Sequence, residues 1–188
     1  MDSRSFFAFT LILCSAGTLL LSPIAYAETL LSRATVQNLR NQVDLLLKQR
    51  SARPARKADI MTSGDALQTY RKAMAELRFN DRSLVRIGEQ AVFQFRPNTR
   101  TLDLKKGTVL LLIPPGKGRT RVHTPNAAAG IRGSALFVRY IPDSGVSIVG
   151  ALTNSDIEIS NSDGSQTYIL KSWATGICLP ESNWYLQF

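Results

Sequence analysis

From Ala58 onward the apolar residues of this chain recur at every second position in short runs that end in turn chemistry, a pattern that restricts the available folds more than any other feature. Leu77 and Phe79, Val85 and Ile87, and Leu102 and Leu104 follow this spacing, with Val92 and Phe95 in a further strand-like run and charged residues between many of them. Asn80-Asp81, Gly88, Pro97-Asn98 and Lys106-Gly107 close the runs. Val109 to Ile113 is continuously apolar and predicts a strand buried on both faces, stopped by Pro114-Pro115-Gly116. Further strands fit Arg121 to His123, Ala135 to Ile141, Ser147 to Leu152, Ile157 to Ser160 and Thr167 to Leu170. Strands this short, at intervals of roughly eight to twelve residues, predict an all-β fold: a short-stranded sandwich, roll or compact solenoid.

The chain ahead of this body divides in two. Ser5 to Leu21 is almost wholly apolar behind Arg4, Pro23 interrupts it, and Ala25-Tyr26-Ala27 supplies small residues for a signal peptidase. Residues 1–27 therefore read as an export leader, cleaved after Ala27, that delivers the rest to the periplasm or outside the cell. Retention of the leader as an anchor is the alternative, against which the apolar run falls short of the ~20 residues that span a bilayer. Glu28 to Arg50 predicts one amphipathic helix, because Val36, Leu39, Val43 and Leu46 follow a three-four-three spacing. Arg50 to Lys57 then reads as a basic linker, with Pro54 breaking regular structure and no acid among its residues. The β domain is expected over residues 58–170, and residues 171–188, with Trp173, Cys178, Trp184 and Tyr185, form an unassigned tail.

About 160 residues follow the leader, enough for one domain with a core. Cys178 is the only cysteine among them, so no internal disulfide can form, and a lone His123 beside it argues against a metal site. No cofactor is expected. The +9 net charge is concentrated: residues 96–139 hold nine Lys and Arg against Asp103 alone. Such a stretch directs a positive field at anionic partners, with Lys117, Arg119 and Arg121 at its centre.

Catalytic patterns fail on local context. Gly116-Lys117-Gly118-Arg119-Thr120 lacks the earlier glycine, the Lys-Ser or Lys-Thr step and the following helix of a phosphate loop. Ser134 precedes a strand, where a nucleophile elbow needs a helix, and no carboxylate flanks His123 to orient it as a base. Asp156 and Glu158 alternate on one strand face without recognisable sugar-binding aromatics. Asn161-Ser162-Asp163-Gly164 reads as a hairpin turn. The chain is therefore expected not to be an enzyme.

The segment Thr124 to Val138 is the most informative for function: a small-residue loop delivers Arg132-Gly133-Ser134 to the start of a strand. Together with Ile60 to Thr69, Ala75 to Ile87, Leu104 to Val109 and Thr124-Pro125, this segment resembles a FecR-type periplasmic domain over roughly residues 58–160. The resemblance implies a β-rich, non-catalytic envelope domain that works by touching other proteins. It marks Gly64, Asp65, Thr124, Pro125, Arg132, Gly133 and Ser134 as motif residues. Only Met1 to Ser5 precede the apolar run, so the chain looks like a stand-alone exported member of the family. Arg82 stands where the family's Asn-Asp turn commonly has glycine. Two functions follow as expectations. One is a sensor or adaptor for an envelope protein, with Arg132 as either an interface anchor or an internal brace. The other is a basic module for anionic cell-wall glycan or lipid head groups. Nucleic acid is not expected, since no aromatics interleave with the basic residues.

Overall fold

The computed structural model describes residues 28–187 except 49, 63, 97, 173, 181 and 182; the expected leader lies outside the described residues. Seventeen strands join in one open hydrogen-bonded sheet, and no helix occurs among the described residues. They are β1 (Arg33–Arg40), β2 (Val43–Leu46), β3 (Arg53–Pro54), β4 (Ile60–Thr62), β5 (Ala66–Thr69), β6 (Met74–Phe79), β7 (Leu84–Ile87), β8 (Val92–Phe95), β9 (Thr101–Leu112), β10 (Thr120–His123), β11 (Ala127–Ile131), β12 (Ala135–Ile141), β13 (Val146–Ala151), β14 (Ile157–Asn161), β15 (Thr167–Leu170), β16 (Thr175–Cys178) and β17 (Trp184–Gln187).

Strand β9 organises this assembly, because its two halves belong to different wings. Residues 101–106 pair with β8 and β10, while residues 107–112 pair with β7 and β12. Gly107 sits at the junction with φ +88, and a Cβ there would lie 2.6 Å from the Ala91 backbone, so only glycine fits the bend. One wing runs β4-β1-β6-β7-β9-β12-β13-β16-β17. The other runs β3-β2-β5-β8-β9-β10-β11-β14-β15. All pairings are antiparallel apart from β9 with β10. The wings face each other across the core, where the rings of Phe79 and Phe95 meet edge to face at 5.2 Å. Phe93, Leu67, Leu77, Ile87, Leu104 and Leu111 are fully enclosed there.

Four expectations require correction. The segment Glu28 to Arg50 forms no helix: it holds strands β1 and β2, with Ala34, Val36, Val43 and Leu45 as the buried residues. A bulge between Val36 and Asn38 and a left-handed turn at Asn41 (φ 57) shift the two-residue alternation, so that Val36 and Val43 fall seven apart and imitate a helical repeat. The supposed linker pairs as β3 with β2, and Arg53 grips Asp59 through bonds of 2.7 and 2.9 Å. The run Val109 to Ile113 is not enclosed on both faces, because Leu110 and Leu112 point outward at 39% and 47% exposure. It also continues through Lys106-Gly107, a bend within one strand and not a turn between two. Part of the unassigned tail is folded: β16 adds to β13 and β17 to β16, burying Cys178.

Candidate functional site

Between β9 and β10 the chain runs through Pro114-Pro115-Gly116-Lys117-Gly118-Arg119, and between β11 and β12 through Arg132-Gly133-Ser134. These two connections meet. Gly133 lies in the left-handed region (φ 55), and a Cβ there would sit 2.7 Å from the Pro115 Cα, so glycine is what lets the loops touch. The contact frames an open cleft of about 750 Å³ lined by Glu28, Pro115, Gly116, Gly118, Arg119, Arg121, Arg132 and Gly133. Its bottom is stiff, since β10 is hydrogen-bonded on both sides, to β9 and to β11.

Three arginines therefore face one depression. Arg119 is held in place, its Nη1 donating to both Glu158 oxygens at 2.7 and 2.9 Å. Arg121 and Arg132 are exposed and belong to none of the six ion pairs among the described residues. Each presents a full fork of donors to solvent. Glu28, at one corner, is the only acid in the lining among the described residues.

The structure sorts the motif residues by role. Arg132 and Gly133 line the cleft; Ser134 is buried beside it, its hydroxyl bonded to those of Thr153 and Ser155 and to no histidine, while its carbonyl accepts the Ile113 amide at 2.8 Å. Gly64 (φ +98) and Asp65 build a turn elsewhere: the Asp65 carboxylate accepts the amides of Thr62 (2.8 Å) and Lys48 (3.0 Å). Thr124 is buried, its hydroxyl accepting the Ala127 amide at 3.1 Å and pairing with the Ser147 hydroxyl at 2.7 Å across the wings; Pro125 sits exposed in that turn. The segment after it is not a loop, as expected from its small residues, but strand β11, whose Ala127 and Ala129 pack into the core. Arg119 and Arg121 reach the cleft, while Lys117 contributes its carbonyl, which accepts the Thr29 amide at 3.3 Å.

The basic field is partly neutralised by acids distant in sequence. Arg96 pairs with Asp103 at 3.0 Å, Arg119 with Glu158, and Arg100 with Asp81 at 2.7 Å. The last pair is almost fully buried, and it fills the role of internal brace: Arg100 also donates to Thr120 Oγ1 (2.7 and 3.1 Å) and to the Thr29 carbonyl (2.5 Å), fastening the first described residues beside the cleft. In the sequence Arg100 is legible only as one of the nine basic residues of 96–139, although an aspartate in the Asn-Asp turn signals a carboxylate that its own turn can partly enclose. His123, on the outer face of β10, has a pKa below its ordinary value, chiefly through burial and then through the charge of Arg96. Asp156 and Glu158 are no acid pair, since Lys171 and Arg119 take one each.

Frame and cleft together define a class: strand-only domains that present a fixed cationic surface. Comparison with known proteins supplies the family. Residues 65–155 match the FecR family, described as FecR protein, and the chain is a FecR-domain protein. Two crystal structures of a candidate anti-sigma factor from Parabacteroides distasonis share the fold. They were determined at 1.65 and 2.50 Å, with TM-scores of 0.58 and 0.56 and 12% identity in each case, over 65% of this chain and 58% of theirs. The chain thus spans little more than half the length of those proteins. No curated protein sequence matches it.

Proposed function

We propose that this chain is an exported, non-catalytic FecR-type domain that acts as an envelope sensor or adaptor through protein–protein contact at the arginine cleft. The observation that carries the reading is the pair Arg121 and Arg132, exposed and outside every ion pair among the described residues, yet fixed on backbone that paired strands and the Gly133–Pro115 contact hold still. Arginine is enriched among the side chains that carry interface binding energy, and a fixed backbone lowers the ordering cost of using it. The role of Arg132 is then that of an anchor, with Arg100 as the brace. The fold shared with a candidate anti-sigma factor supports a part in signalling.

Affinity capture from envelope extracts tests this. Domain beginning at Glu28 should retain a defined protein that Arg121→Glu/Arg132→Glu domain releases. Retention of polysaccharide or lipid alone, lost steeply with salt, would favour the anionic-glycan reading instead.

A further inference from the structure

The cleft continues into a second depression of about 350 Å³ that shares Arg119 and Arg132 with it and adds Gly130, Asp156, Glu158 and Ile169. Strand register explains the continuity. Arg121 on β10 stands opposite Gly130 on β11, Gly130 opposite Glu158 on β14, and Glu158 opposite Ile169 on β15. One outward row thus runs from an arginine outside every ion pair among the described residues to an exposed isoleucine, and Arg119 passes over Gly130, its Cδ 3.5 Å from where a Cβ would stand, to reach Glu158. At three strand spacings the row is about 14 Å long, the reach of roughly four extended residues.

The far end of the row is a sheet edge. Among the described residues strand β15 pairs with β14 alone, and it exposes Tyr168 and Ile169 at 37% and 48%, with neither proline nor charge inside the strand to guard it. The exposed Tyr168 and Ile169 offer apolar contact to a side chain laid across the strands.

We infer that this row is a binding groove for an extended acidic segment of a protein partner, whose carboxylate meets Arg121 and Arg132 and whose apolar side chain, about four residues away, rests on Ile169. The inference rests on the adaptor reading and narrows its partner. A polyanionic glycan or phosphate chain suits the groove less, because Glu28, Glu158 and Asp156 interrupt its positive charge and Ile169 offers nothing to a sugar acid. A peptide uses both ends.

Selection from a displayed random dodecapeptide library on the domain beginning at Glu28 decides the matter. The expected result is enrichment of peptides with an acid and, roughly four positions away, an aliphatic or aromatic residue. Their affinity should fall about tenfold or more with Arg121→Glu/Arg132→Glu and several-fold with Ile169→Ser, both at unchanged melting temperature, and Arg121→Lys/Arg132→Lys should retain part of it. No enrichment, enriched peptides without acids, or affinities that ignore both variants would overturn the inference. So would arginine-dependent displacement by heparin or polyphosphate with no contribution from Ile169, which assigns the groove to polyanions. A partner captured from the envelope that survives Arg121→Glu/Arg132→Glu leaves an adaptor in place while removing this groove from it.

Discussion

Replacing Arg100 by methionine removes the brace and nothing of comparable volume. The Asp81 carboxylate and the Arg100 guanidinium have 0% and 2% of their side-chain surface exposed, so water cannot substitute for either partner. Breaking such a pair by removing one member costs about 3–5 kcal/mol, because a buried charge is left without its counter-ion. Asp81 keeps the Ser83 amide (2.8 Å) and the Ser83 hydroxyl (2.7 Å), which places the loss toward about 3 kcal/mol. For a domain of this size that lowers Tm by roughly 6–12 °C. Urea and thermal unfolding followed by far-UV circular dichroism measure it. The double variant Asp81→Asn/Arg100→Met should recover at least half of the loss, since no charge remains buried. Lys171→Met, which breaks the exposed pair with Asp156, should change little. The reasoning is refuted if Arg100→Met costs no more than Lys171→Met, or if neutralising Asp81 deepens the loss.

Three further outcomes follow from backbone and burial. Arg82 occupies the left-handed region (φ 73) in the turn after β6, so Arg82→Gly should stabilise the domain by about 0.5 kcal/mol, the relieved strain less the entropy glycine adds to the unfolded chain; an unchanged or lower Tm would contradict this. His123 binds its proton less readily in the folded state, where burial and then Arg96 oppose the charge, than unfolded at its ordinary 6.5. Its contribution is therefore fully present above about pH 6.5 and falls as pH drops below it, and His123→Gln should flatten the melting profile over that window. Burial raises the Cys178 thiol from 9.0 to about 11, so in protein beginning at Glu28 a disulfide reagent should react only at the rate of global unfolding; prompt native reaction would show an open site.

What the sequence disclosed depended on how local the signal was. Ala135 to Ile141 and Thr167 to Leu170 are legible to the residue because each is a run of mostly aliphatic, aromatic and β-branched residues beside turn chemistry, at Pro142-Asp143 and Asp163-Gly164. Strand β1 was misread because its bulge, which only its partner β6 makes visible, shifts the apolar phase into a helical one. The alanines of β11 carry little strand preference of their own; pairing on both sides, with β10 and β14, makes them a strand. Of the candidate site, Arg119, Arg121, Arg132 and Gly133 could be read as basic and motif residues. Their convergence could not, since it depends on two loops meeting where Gly133 packs on Pro115. Arg100 and Asp81, nineteen positions apart, meet only through the tertiary fold.

A photoreactive amino acid in place of Glu28, exposed at the rim of the cleft and outside the proposed arginine contacts, activated in cells that make the full chain, reports directly on what occupies the cleft. The account predicts one defined protein adduct, absent when the same residue replaces Tyr185 on the exposed face of β17. Adducts to glycan or lipid alone, or a protein adduct from Tyr185 and none from Glu28, would contradict it.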